Sequence, residues 1–236
     1  MANNKADAVR IQTSVLNALE KKVLVWLAKR QPKWMTSDIL TYIGTFGAVV
    51  IAVGYILSAR NINYLWLSSA GFLINWYGDS LDGTLARVRR TQRPVYGYYI
   101  DHTVDAINEV IIFIGVGLSG LIHLEIAMFA LIMYFLITIN VSINAHLKKE
   151  FRLTYAKMGP TEFRIIMIII NTLFVLIRPL RDFSHTFSLA GHEFTFGALD
   201  YIGTAIVIIL VIMHLSTIIS DAKEYAKMDP LPNRKD

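Results

Sequence analysis

Four aspartates carry the chemistry to be explained. Asp79, Asp82, Asp101 and Asp105 fall within a 27-residue stretch at the ends of apolar segments; charge costs several kcal/mol at a bilayer centre, so carboxylates kept within or at the ends of such segments are functional candidates. On a helix, Asp79, Asp82, Gly83 and Ala86 occupy i, i+3, i+4 and i+7. That is one stripe, with two carboxylates followed by two side chains small enough to admit a ligand. Gly97, Asp101 and Asp105 stack in the same way at i, i+4 and i+8. Two helices joined by a short loop can turn these stripes toward each other and gather four carboxylates at one point. Their charges repel unless cations neutralise them. An all-oxygen donor set suits magnesium or manganese rather than zinc. Four carboxylates can hold two ions roughly 3.5–4 Å apart, an arrangement that stabilises the attacking and leaving oxygens of phosphoryl transfer. The competing chemistry is an ion or proton transporter that uses the same intramembrane aspartates as its path.

The elements that must position these residues are membrane spans. Of 236 residues, 54% are apolar and 17% charged, and the mean hydropathy is +0.46, a balance foreign to soluble enzymes. Six apolar segments, centred near residues 38–59, 64–87, 98–121, 124–146, 162–180 and 199–220, are each long enough to cross a bilayer as a helix. With the N-terminus inside, 20 of the 23 Lys and Arg residues fall on the cytoplasmic side, and only Arg60, Arg178 and Arg181 fall outside. This alternation orients the chain, and it explains the pI of about 9.3 through membrane flanks rather than nucleic acid. The absence of cysteine removes thiolate metal sites, disulfides and Cys nucleophiles. The chain start lacks the features of a cleaved signal peptide. From Val9, the residues Val9, Leu16, Leu19, Val23, Trp26 and Leu27 recur at helical spacing beside Arg10, Lys21, Lys22, Lys29 and Arg30. This predicts an amphipathic helix in the membrane interface, the alternative being a solvated helix packed on the same domain. The expected organisation is this juxtamembrane helix over 1–33, a six-span domain over 34–222 and a cytoplasmic tail over 223–236. The fold class is an all-α integral membrane protein, expected in the bacterial cytoplasmic membrane. Residues 181–198 read as one long outside loop.

The order Asp79-x2-Asp82-Gly83-x2-Ala86-Arg87, nine residues, then Gly97-x3-Asp101-x3-Asp105 resembles the signature of the CDP-alcohol phosphotransferase family of integral membrane enzymes. Ser37-Asp38-Ile39-Leu40-Thr41 resembles a looser form of the Pro-Asn-x-Leu-Thr opening of the first span, from which Ser37 and Asp38 depart. The resemblance implies that Asp79, Asp82, Asp101 and Asp105 bind two divalent cations, Mg²⁺ or Mn²⁺, and that Asp105 is also the catalytic base. It implies that Gly83, Ala86, Arg87 and Gly97 line the site of the CDP-linked donor. The implied reaction moves a phosphatidyl group from CDP-diacylglycerol to a small alcohol with release of CMP. A homodimer in the lipid bilayer is a further implication, and nucleic acid has no part. Arg89, Arg90 and Arg93 read as a lipid-facing positive loop, and His102 as a partner orienting nearby carboxylates.

The acceptor is open. The spacing Asp101-His102-Thr103-Val104-Asp105 matches neither the Asp-Ser-x2-Asp-Arg pattern of the inositol-phosphate subfamily nor the Asp-Pro-x-Ala-Asp-Lys pattern of the phosphatidylglycerol-phosphate subfamily. Its Asp-His pair resembles the choline and ethanolamine phosphotransferases, in which a CDP-linked amino alcohol is transferred to diacylglycerol. Gly159-Pro160-Thr161-Glu162-Phe163-Arg164 predicts a helix start capped by Thr161, with Arg164 one turn inside, a place suited to an anion. Arg164, with Lys149 and Arg152 upstream, is therefore a candidate for binding a phosphorylated acceptor. The competing reading has these cations snorkelling to anionic headgroups.

Overall fold

The computed structural model describes residues 9–11, 17–148, 150–152, 159–189 and 191–231. Lys149 lies outside them, and Arg152 is described only as part of a short strand. The architecture is all-α, built on six long helices. An N-terminal helix α1 (Asn17–Arg30) precedes α2 (Ser37–Ser58), α3 (Leu65–Arg89), α4 (Pro94–Gly117), α5 (Leu124–Lys148) and α6 (Pro160–Leu176). A single turn α7 (Arg178–Arg181) and the long α8 (Ala198–Met228) complete the helices. Among the described residues, three helices are long and apolar enough to cross a membrane, those at 37–58, 124–147 and 198–228. The others differ for visible reasons: α3 and α4 contain the acidic stripes, and α6 has 17 residues.

The tightest pair is α2 with α3, and small residues explain it. A Cβ on Gly47 would strike the backbone of Asn75, one on Gly78 the backbone of Gly44, and one on Gly71 that of Ile51. Backbones that approach this closely gain dispersion and interhelical polar contacts, the main source of association where lipid replaces water. The Ser68 hydroxyl donates to the Ile51 carbonyl at 3.0 Å, and Asn75 Nδ2 to the Gly44 carbonyl at 3.0 Å. Further out, Tyr55 donates to Asn171 Oδ1 at 2.8 Å, and Asn171 Nδ2 donates to Ser69, which ties α6 to the same pair. Asn140 and Asn144 of α5 both donate to Asp221 of α8, at 3.1 and 2.7 Å. These two asparagines join helices, as polar side chains in spans commonly do.

Three local expectations are corrected. The N-terminal helix is described from Asn17 rather than from Val9, and Val9–Ile11 forms a strand, β1, paired in parallel with β2 (Glu150–Arg152). The 181–198 segment is a β-hairpin, β3 (Ser184–Leu189) against β4 (His192–Gly197), and Gly191 in its turn has φ +81°, a conformation that favours glycine. Period-two alternation of Phe187, Phe194 and Phe196 with polar neighbours was the available signal, and these rings pack on one another. Finally, α8 continues past residue 222 to Met228, so the first part of the expected tail is helical.

The α1 helix packs on its own domain. Leu24 and Ala28 are buried with Met35, Leu40, Leu81 and Leu85, while Leu19, Val23 and Trp26 stay exposed on its other side. Its C-terminal end is held by Arg89, whose guanidinium donates to the carbonyls of Gln31 (2.9 Å), Pro32 (2.8 Å) and Met35. Such an arginine complements the exposed carbonyls and negative end of the helix. Arg93 makes a two-pronged contact with Asp38, at 3.0 and 2.8 Å, and lies over the Tyr96 ring. The loop arginines 89 and 93 are thus engaged within the protein, which corrects the lipid-facing reading for both.

Candidate active site

The α3–α4 turn brings the two acidic stripes together. Arg90, with φ 57°, ends α3 in a left-handed residue, and Pro94 opens α4 only four residues later. Proline suits a first helical turn because its missing N–H would have no partner there. The short connection keeps the end of α3 near the start of α4, so that Asp79 meets Asp101 and Asp105.

Asp79, Asp101 and Asp105 each present a carboxylate oxygen within 4.8 Å of the others. Three carboxylates this close in a partly buried place repel unless positive charge enters. Their all-oxygen chemistry fits a hard divalent cation. Asp82 is the fourth aspartate, and it lies beside this trio rather than in it. Its Oδ2 accepts from Thr41 at 2.8 Å, and its Oδ1 accepts from the Gly83 amide. Ser37 donates to the Asp82 carbonyl at 2.9 Å, and Leu40 is fully buried beneath. The Ser37–Thr41 opening of α2 therefore orients the acidic end of α3, which gives that short motif a physical reason.

The other expected site residues separate into two groups. Gly83 and Ala86 are half-buried on the stripe, and a Cβ on Gly83 would come within 3.4 Å of Arg87 Nη1. Arg87 donates to Thr84 at 2.9 Å. Around Gly97 a Cβ would meet open space, so this glycine borders a vacant surface where a ligand can approach. His102 turns toward its own helix: Nδ1 lies 2.9 Å from the Tyr98 carbonyl and the two rings sit 4.1 Å apart, tilted by 31°, while Asp101 is 3.9 Å away.

Arg164 lies inside the site. Its Nε donates to Asn75 Oδ1 at 2.9 Å and its Nη2 to the Asp79 carboxylate, so α6 is joined to α3 directly at the cluster. Its Nη1 is buried without a hydrogen-bond partner. An unsatisfied guanidinium N–H in a buried place costs free energy that an arriving anion would recover. The arginine reaches this position from a helix start built differently from the expected one. Gly159 is the cap, its amide donates to Glu162 at 3.0 Å, and Pro160 follows. Thr161 instead donates to Glu20 of α1.

Sequence reasoning missed Asn75, Tyr134 and Glu20, and it read Glu109 as a helix-contact or outlying residue rather than a metal ligand. Asn75 bridges Gly44 and Arg164, and its signal was one turn of spacing before Asp79. Glu109 lies one turn beyond Asp105 and accepts from Tyr134 of α5, which adds a fifth carboxylate at the edge of the cluster. Glu20 sits on α1 with no local pattern that marks it.

The family model described as CDP-alcohol phosphatidyltransferase matches residues 34–219. The chain is 34% identical over 84 residues to a phosphatidylinositol phosphate synthase of Cutibacterium acnes, covering 36% of this chain and 38% of that protein. It is 30% identical over 97 residues to an archaetidylinositol phosphate synthase of Methanothermobacter thermautotrophicus, covering 41% of this chain and 47% of that one. The matched stretches thus span less than half of either relative.

Proposed function

Because the chain belongs to the CDP-alcohol phosphatidyltransferase family, we propose that it transfers the phosphatidyl group of CDP-diacylglycerol to the hydroxyl of a small phosphorylated alcohol. The acceptor oxygen forms a bond to the phosphorus that carries diacylglycerol, the bond from that phosphorus to CMP breaks, and CMP leaves. The observation that carries the reading is the meeting of three carboxylates with a buried arginine whose Nη1 has no partner. Asp79, Asp82, Asp101 and Asp105 would hold two divalent cations, magnesium or manganese, whose charge would neutralise the pyrophosphate and the leaving CMP. Asp105 takes the acceptor proton. Gly83, Ala86, Arg87 and Gly97 border the donor, with small side chains leaving room and Arg87 supplying charge. Arg164 takes the phosphate of the acceptor through Nη1, while its other two bonds fix the plane of its fork.

Inositol phosphate is the first acceptor to try, since two relatives are named for inositol phosphate products. The test is release of CMP by the purified chain from CDP-diacylglycerol, with magnesium and a panel of alcohols. Magnesium-dependent release only with a phosphorylated acceptor is the expected result. Release with a non-phosphorylated alcohol alone removes the role given to Arg164. No release with any acceptor, together with ion flux into vesicles, would establish a transporter instead.

The six long helices are proposed as six spans, with α1 in the interface and the aspartate cluster facing the cytoplasm, on the strength of the 20 inside cations. Both Gln92 and Ser188 are exposed, and the chain has no cysteine, so single introduced thiols report cleanly. A Cys at Ser188 is expected to react with an impermeant reagent in intact cells, and one at Gln92 only after permeabilisation. The reverse pattern inverts the topology.

A further inference from the structure

We propose that Glu20 of α1 is a positioning residue for the acceptor site, acting through Thr161 and Trp76 to hold Arg164 against Asp79. The proposal deepens the transferase reading above and rests on it for its kinetic consequences.

The half-buried Glu20 carboxylate accepts two hydrogen bonds through one oxygen. Trp76 Nε1 donates from α3 at 2.9 Å, and the Thr161 hydroxyl donates from the first turn of α6. Each donor sits one turn, three residues, ahead of a site residue on its own helix. Trp76 precedes Asp79 and follows Asn75, and Thr161 precedes Arg164. One turn further along, the same two helices are joined again, by Arg164 to Asn75 and Asp79. The bonds close a ring that runs from Glu20 to Trp76, along α3 to Asp79, across to Arg164 and back along α6 to Thr161.

Without the Glu20 bonds, Arg164 alone would have to fix both the first turn of α6 and its own guanidinium. With them, the helix start is set independently and the fork has only its own plane to settle. Nη1, the atom without a partner, is then held in one place for an incoming anion, and preorganisation of this kind appears in affinity rather than in new contacts. Glu20 is itself held by its helix. It lies in the first turn of α1, where a negative side chain is favourable, and α1 is anchored by buried Leu24 and Ala28 and by Arg89 at its far end. A charged residue with two designated donors on two site-bearing helices does more than solvate a helix face.

The test uses the full chain in liposomes, with CDP-diacylglycerol as donor and inositol phosphate as acceptor. Glu20→Met keeps the bulk and removes the accepting oxygen; Glu20→Gln keeps an oxygen that both donors can reach. Glu20→Met and Thr161→Val are each expected to raise the acceptor KM about 2- to 10-fold, the effect of losing one or two ordinary hydrogen bonds. The donor KM should stay as in the wild type, and Glu20→Gln should restore the acceptor KM. In an Arg164→Ala background, Thr161→Val should add nothing, because the residue it positions is gone. Equal rises in both KM values, an unchanged acceptor KM in Glu20→Met, or a Gln variant as impaired as Met would each overturn the proposal. A second readout needs no turnover. Spin labels on cysteines at Lys22 and Phe163, both exposed, should give a narrow distance distribution in the wild type and Glu20→Gln, and a broad one in Glu20→Met. If the wild type releases no CMP, the transferase reading falls, and the distance measurement alone then decides whether Glu20 clamps α6. An unchanged width in Glu20→Met rejects the clamp.

Discussion

Single Asp→Asn substitutions at Asp79, Asp101 and Asp105 are expected to lower CMP release by roughly 10²- to 10⁴-fold, the range for loss of a positioned acid–base group, while the helical bundle stays inserted. The three carboxylates lie within 4.8 Å of one another, so each contributes to the negative field that would hold cations. Asn has nearly the same shape but neither the charge nor the two equivalent oxygens a hard cation prefers. Asp82→Asn belongs to the same expectation. Its carboxylate is oriented by Thr41 and the Gly83 amide, and its charge acts on Asp79 and Asp101 nearby. Excess chelator should abolish turnover in the wild type, and added magnesium or manganese should restore it. Retention of full rate by two of the four variants, or by the chelated enzyme, would remove the two-cation reading. Repulsion among the carboxylates also separates effects on function from effects on folding. Neutralising Asp101 or Asp105, unlike Asp79, which pairs with Arg164, should leave thermal stability in detergent unchanged or raised even as activity disappears.

Arg164→Ala is expected to raise the acceptor KM by roughly 10- to 150-fold, the equivalent of about 1.5–3 kcal/mol for a hydrogen bond to a charged group. The CDP-diacylglycerol KM should change little. The structure adds a second consequence, since Nη2 also pairs with Asp79. Loss of the guanidinium leaves that carboxylate without its cationic neighbour, so kcat should fall as well. Arg164→Lys should recover part of the kcat loss by restoring charge, and little of the KM loss, because an ammonium cannot bond Asn75 and Asp79 and still direct a third N–H at the ligand in a fixed plane. An unaltered acceptor KM in Arg164→Ala would sink the acceptor assignment and return weight to a CDP-linked amino alcohol as donor, the reading built on the Asp101-His102 pair.

Composition and spacing alone determined the helical class of the protein and marked the aspartates that the structure brings together. The apolar segments of the chain became helices at nearly the expected positions, and among the described residues three of them, at 37–58, 124–147 and 198–228, are long and apolar enough to cross a membrane, as hydropathy and the need to pair backbone polar groups within a segment dictate. The aspartates were legible for a related reason. Helical periodicity places i, i+3 and i+4 on one face, and a charge kept in an apolar segment marks function. Tertiary structure decided which of those groups meet. Asp82 turns to Thr41 while the other three aspartates converge, and this depends on how closely α2 and α3 approach through Gly44, Gly47, Gly71 and Gly78. Arg164 could be read from sequence as a cation near a helix start, but its bonds to Asn75 and Asp79 join residues 89 and 85 positions apart, and no local pattern encodes a partner at that separation. The same holds for Glu20, whose contacts with Trp76 and Thr161 span 56 and 141 positions, and for Arg89 and Arg93. Their charges suggested a lipid surface, yet the packing of α1 and the opening of α2 gave them carbonyls and a carboxylate as partners. A sequence records the residues able to pair; long-range packing of the helices selects the pairs that form.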